Sequence, residues 1–288
     1  METTELLKKI RHLEIRAKGL TKHIFSGEYH SAFKGRGMAF SEVRDYHFGD
    51  EVRTIDWNVT ARFNEPFVKV FDEERELHVM LIIDVSGSEY IGTGERMKKD
   101  LALEIAAILS FSALSNNDKV GAIFVSDRVE KYIAPEKGRK HALVILRELI
   151  ELVPKSKGTN LNEGLRFFRN TQKKRSIAFV ISDFVDENNF MEGLRLSRKK
   201  HDMVALQLID AVEREMPDLG IVQLENAETG ERTWINSNSA EAKQIHRENY
   251  LKSDEKLTHE MIRSGIDFCS IETDEDIIKP LVKLFKNR

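Results

Sequence analysis

The chain has 288 residues, 41% hydrophobic and 32% charged, a balance that suits one large α/β domain or one domain with an extension and argues against an integral membrane protein. Lys and Arg number 45 against 48 Asp and Glu, so the formal net charge of −3 offers no global attraction for nucleic acid. Cys269 is the only cysteine, which rules out an internal disulfide and a thiolate zinc cluster; its segment, GIDFCSIE, reads as a strand in which the thiol packs rather than reacts.

Residues 3–18 read as a packing helix: Thr3 or Thr4 caps it, and Leu6, Leu7, Ile10, Leu13 and Ala17 recur at helical spacing before Gly19. This charged N-terminus lacks the apolar core of a signal peptide, and no later run reaches the length of a membrane span. A cytoplasmic chain without direct membrane insertion is expected, at most peripheral to a membrane-bound partner.

Residues 1–76 are expected to form the N-terminal helix and an ordered extension, with the main domain over 77–288. From Gly27 to Phe71 no period is sustained, yet aromatic and paired charged residues are dense, unlike a disordered segment. Gly35 and Gly37 suggest one turn, Phe48-Gly49-Asp50 another and Ile55 to Asn58 a helical turn, with FVKVF a strand. Arg44, Arg53 and Arg62 interleave with Asp45, Asp50 and Asp56, which favours buried structural ion pairs over a phosphate or acidic-partner site.

After residue 77 the pattern is regular. LHVMLII, VGAIFVS, SIAFVIS, MVALQLI and GIDFCSIET read as strands, VEKYIAP as an antiparallel partner of VGAIFVS, and Gly220 to Leu224 as a further short strand. Helices are expected at 95–114, 141–152, 161–170, 190–200, 238–263 and 276–285. Apolar strands separated by helices describe an α/β fold, a doubly wound and mainly parallel central sheet flanked by helices.

Three polar breaks interrupt the apolar strands. Asp84, Ser86 and Ser88 follow LHVMLII, Asp183 follows IAFVIS, and Thr159 lies in the loop GTNL before a helix. Parallel strands deliver their C-terminal ends to one edge, where open α/β sheets bind ligands. Two carboxylates and three hydroxyls make an oxygen-only donor set suited to Mg²⁺ or Mn²⁺ rather than zinc. Neutral hydroxyls leave such an ion electron-poor, and a solvent-facing position would accept a carboxylate from a partner protein.

Asp84-x-Ser86-x-Ser88, Thr159 and Asp183 resemble the metal-ion-dependent adhesion site of von Willebrand factor type A domains over about Leu77 to the C-terminus. The resemblance implies that Ser86, Ser88 and Thr159 ligate directly and that Asp84 and Asp183 act partly through water. Arg44-Asp-Tyr46, Gly49-Asp50, Arg53, Ile55-Asp56-Trp57 and Ala61-Arg62 resemble the signature of domain-of-unknown-function family 58, over nearly the whole chain. That resemblance implies a protein-interaction module, an adaptor or co-chaperone that binds an acidic side chain of a MoxR-type AAA+ ATPase or its client through Mg²⁺. Glu89 departs from the small or apolar residue that often follows the last serine.

An enzyme is the rival class. The chain has neither a G-x-G-x-x-G turn after its first apolar strand nor a G-x-x-x-x-G-K-[ST] loop. Ser86 as a nucleophile would need a base, and His141 and His201 qualify by residue type alone, both read as solvent-exposed. A metal-assisted phosphohydrolase on the same oxygen ligands is the alternative.

Overall fold

The computed structural model describes residues 11–15, 38–73, 77–90, 96–156, 158–186, 188–225 and 231–286. The chain divides into two compact units, Phe33–Leu77 and the remainder, to which His78–Arg288 belongs. Gly35, Gly37 and all of the N-terminal helix except residues 11–15 lie outside the described residues.

In the small unit β1 (Met38–Asp45) pairs antiparallel with β2 (Phe67–Glu73). FVKVF is therefore a strand as expected, and its partner is one that the irregular sequence concealed. Between them lie a 3-10 turn (Val52–Thr54) and α1 (Trp57–Phe63). Asp56 caps α1 by accepting from the Asn58 and Val59 amides at 3.0 and 3.3 Å. Arg44 forks onto Asp50 through two 2.8 Å bonds, and Asp50 also accepts from the His47 amide at 2.8 Å, closing the turn at Phe48-Gly49. Arg44, then that amide, hold the Asp50 carboxyl down at about 2. The expected buried network is thus corrected: the Arg44–Asp50 pair is partly exposed, and Arg53 and Arg62 are exposed with no ion pair to any described residue.

The large unit contains β3 (His78–Asp84), β4 (Lys119–Val125), β5 (Val129–Glu136), β6 (Ile177–Ser182), β7 (Asp202–Ile209), β8 (Ile221–Glu225), β9 (Arg232–Asn236) and β10 (Asp267–Glu272). Its helices are α2 (Lys98–Ser115), α3 (Arg139–Glu151), α4 (Leu161–Thr171), α5 (Phe190–Arg198), α6 (Ala211–Arg214), α7 (Ala240–Arg263) and α8 (Ile278–Lys286). The central sheet has the order β10-β7-β6-β3-β4-β5, all parallel except β5 at one edge, while β8 and β9 form a separate antiparallel hairpin. The chain winds outward from β3 to β4 and then returns across it to β6, so the sheet reverses direction between β3 and β6. At that reversal a crevice opens beyond the carboxyl ends of the strands.

Strand alternation divides the core. Met80 and Ile82 pack with Leu161, Leu165 and Phe168 of α4 and with Met191 and Leu194 of α5. Val79, Leu81 and Ile83 are buried on the opposite face, where the ring of Phe285 in α8 meets Phe179, the cross-strand neighbour of Leu81. Helix α2 buries residues all round, from Lys98 through Leu101, Ile105 and Leu109 to Ala113, as a central helix must. The described part of the N-terminal helix belongs to this unit: Leu13 is buried, and Glu14 accepts from Arg139 at 2.5 and 2.6 Å. Among the described residues no helix is long and apolar enough to cross a membrane.

Helix α4 approaches β4 closely because residue 164 is glycine. A Cβ there would lie 2.5 Å from Val125 Cγ2 and 3.2 Å from its Cγ1, with no flexible chain end to yield. Gly164→Ala should lower the melting temperature, the strain of overpacking (about 1–3 kcal/mol) exceeding the helix-propensity gain of about 1 kcal/mol. Calorimetric unfolding checks this; an unchanged or raised melting point would show that α4 can lift off the sheet freely.

Candidate metal-binding site

Asp84 closes β3 and Asp183 follows β6, so adjacent parallel strands place both at the crevice. Asp84 is 2% exposed and Asp183 4%. Asp84 Oδ1 accepts from the Ser86 amide at 2.9 Å, the local bond by which an aspartate turns a chain out of a strand. Its Oδ2 accepts from Ser182 Oγ at 2.7 Å. The turn runs into a 3-10 helix (Gly87–Tyr90) that carries Ser88, whose hydroxyl lies 3.1 Å from Ser86 Oγ.

Asp183 Oδ1 accepts from the Val185 amide at 3.0 Å. The residue between them, Phe184, takes a left-handed φ of 57°, unfavourable for a bulky side chain. Its ring is buried against Phe190 and Phe268, which holds the strained turn in place.

Thr159 reaches the same edge by a different route. The amide of Asn160 donates to Ser126 O beyond β4 at 2.9 Å. On the other side, Asn188 Nδ2 donates to Thr159 O at 3.1 Å, and the Leu161 amide donates to Asp186 Oδ2 at 2.8 Å. Since β4 and β6 flank β3, the loop bearing Thr159 spans the end of β3. All five residues singled out in the sequence are therefore buried at one edge of one sheet.

The donor geometry suits a small hard cation. Neighbouring ligands of an octahedral Mg²⁺ lie about 3.0 Å apart, given metal–oxygen distances of about 2.1 Å; the Ser86 and Ser88 hydroxyls are separated by 3.1 Å. The electrostatics agree. Burial, then the charge of Asp183, push the Asp84 carboxyl up to about 7. An anion so disfavoured is one that a bound cation would stabilise. Among the described residues no group of three or more His, Cys, Asp and Glu could hold a metal, so the hydroxyls distinguish this donor set.

Three participants escaped the sequence. Ser182 is the hydroxyl donor to Asp84, hidden as the last residue of an apolar strand. Lys98, the first residue of α2, is fully buried, and its ammonium donates to Asp183 Oδ2 at 2.9 Å and to Glu213 Oε1. In the run RMKKD nothing separates Lys98 from Lys99. Glu213 was partly legible: Asp210-x-x-Glu213 has capping-box spacing, and Glu213 Oε2 accepts from the Asp210 amide at 3.0 Å. Its lysine partner was not legible.

Both histidines require correction: His141, expected at the surface, has a side chain only 13% exposed. His201, expected at the surface, is 3% exposed, its ring 4.5 Å from that of Phe168; burial, then Lys200, lower its pKa to about 4. It precedes β7, at the sheet edge opposite Ser86, and His141 lies 3.7 Å from Glu136 beside β5. Neither hydrogen-bonds Ser86. Cys269 lies in β10 as expected, its thiol pushed up to about 11 by burial.

A family model described as "Protein of unknown function DUF58" matches residues 42–256. The uncharacterized protein Rv1480 of Mycobacterium tuberculosis is 29% identical over 297 residues, covering 100% of this chain and 91% of the relative. Among solved structures, an aerotolerance-related membrane protein from Bacteroides fragilis superposes with a TM-score of 0.51 at 16% identity, covering 73% of this chain and 97% of that one. The SpRpn10 VWA domain gives a TM-score of 0.40 at 12% identity, with coverages of 74% and 95%.

The Asp84 shift has a consequence for the chain free of divalent ions. Its native pKa of about 7 exceeds the ordinary 3.8, so the folded state holds a proton that the unfolded state releases. The associated stability is present below 3.8 and is lost as pH rises through about 7. In chelator the melting temperature should therefore fall between these values, and Asp84→Asn should flatten that fall. Parallel profiles for the two proteins would contradict the assignment.

Proposed function

The chain belongs to the DUF58 family and its large unit is a mainly parallel α/β sheet flanked by helices, and from these premises we propose that it is a metal-dependent protein-interaction module of the von Willebrand factor type A kind. Asp84, Ser86, Ser88, Thr159 and Asp183 would hold Mg²⁺, with Mn²⁺ as a substitute. The ion supplies a Lewis-acidic position for a carboxylate from outside. The chain's own part is to hold its hydroxyls in register, exclude bulk water by burial and keep the negative charge low.

The observation that most supports this reading is the buried pair of hydroxyls at octahedral spacing beside two buried carboxylates. Low ligand charge favours capture of an acidic side chain over activation of water, because each anionic protein ligand would weaken the ion's demand for another anion. Neither His141 nor His201 hydrogen-bonds Ser86, so a histidine-activated serine nucleophile has no support among the described residues. The partner we propose is a MoxR-type AAA+ ATPase or its client, engaged through Asp or Glu. The small unit presents Phe48, Trp57 and Phe63 exposed, aromatic residues of the kind enriched in the cores of protein interfaces.

Calorimetric titration with Mg²⁺ and with Mn²⁺ tests the reading. The native chain should give saturable heat and Asp84→Ala none, and partners captured from native lysate should be lost on chelation. Equal, negligible heats for both proteins would remove the metal. Turnover of phosphate esters that disappears in Asp84→Ala would favour the hydrolase instead.

A further inference from the structure

A fully buried lysine beside a cation site calls for an explanation. Lysine is almost never completely buried unless its charge is paired, and an apolar residue would usually serve packing as well. Lys98 enters the crevice from the first position of α2 and joins two carboxylates from different strand ends: Asp183 after β6 and Glu213 after β7. Each Asp183 oxygen is already engaged, Oδ1 by the Val185 amide and Oδ2 by the ammonium. A divalent ion, or a water bound to it, can use Asp183 Oδ2 only by sharing it with Lys98 or displacing it.

Glu213 is the firmer end of the clamp. Its Oε2 is held by the Asp210 amide. Asp210 is itself fixed by Thr273 Oγ1 at 2.8 Å and by the Val212 amide at 3.1 Å, anchoring the group to the ends of β7 and β10. Glu213 can thus receive the ammonium if Asp183 is taken.

Resting on the metal-site reading above, we propose that Lys98 is a resident cation competing with the divalent ion for Asp183, and that Glu213 is the alternative seat that sets how hard it competes. The competition limits metal affinity and makes metal binding respond to the β7–α6 turn, through a residue that touches no metal.

The test is Mg²⁺ titration of four proteins by calorimetry, with the Mg²⁺-induced rise in melting temperature as a second readout. Lys98→Met keeps the bulk and removes the charge; it should bind Mg²⁺ about tenfold more tightly or better, equivalent to about 1.4 kcal/mol. Glu213→Gln leaves Lys98 bonded to Asp183 as its charged partner and should bind several-fold more weakly. In the Lys98→Met background, Glu213→Gln should change affinity by no more than about twofold, because its effect runs through the lysine.

If the native chain binds and Lys98→Met binds no tighter, the competition is refuted and the metal site stands. An equal loss from Glu213→Gln in both backgrounds overturns its role as the lysine's seat. Silence from the native chain and Lys98→Met alike removes the metal reading, and the inference with it. Should Lys98→Met fail to fold, Glu213→Gln decides: affinity equal to or above native refutes the proposal.

Discussion

Two aspartates from neighbouring parallel strands share one buried crevice, and the rest of the large unit accommodates that repulsion. Asp84 and Asp183 come together because the sheet reverses its winding between β3 and β6, leaving both strand ends uncovered by a crossover. Burial makes both charges costly, and their proximity adds to the cost for Asp84. Ser182 and the Ser86 amide stabilise one aspartate; Lys98 and the Val185 amide stabilise the other. The strained backbone at Phe184 belongs to the same arrangement, since the turn that aims Asp183 forces it.

Much of this was legible in the sequence because the large unit's strands are buried on both faces. Continuous apolar runs such as LHVMLII and IAFVIS have few other readings, and a polar residue ending such a run marks the strand's carboxyl end. Helix limits fell within a few residues of expectation, with α2 starting at Lys98 rather than Glu95. The small unit was harder. β1 reads MAFSEVRD, with charges that obscure alternation and an irregular register opposite β2 between Phe40 and Glu42. β9, RTWIN, is a largely exposed hairpin strand without an apolar face to reveal it.

The site divided along similar lines. Asp84, Ser86 and Ser88 lie within five residues, and the parallel sheet brings Asp183 to them by simple topology. Lys98 and Glu213 could not be found that way. Their pairing depends on where the start of α2 passes the turn after β7, and each lies in a segment whose charges suggest a solvated surface. His201 went wrong for the converse reason: preceded by Lys199 and Lys200 and followed by Asp202, it nevertheless turns inward against Phe168. Buried charge is recognisable only once its counter-charge has been placed.

The coarse conclusion, a DUF58-family chain whose large unit is a mainly parallel α/β sheet, rests on the family match and sheet order. The finer one, that the crevice is a cation site with an internal competitor, rests on the side chains converging there. Anomalous diffraction from crystals grown with Mn²⁺ tests it most directly. The account predicts a manganese peak in the crevice lined by Asp84, Ser86, Ser88, Thr159 and Asp183, with the Lys98 ammonium drawn toward Glu213. A crevice without such a peak at saturating Mn²⁺, with Lys98 still seated on Asp183, would contradict it.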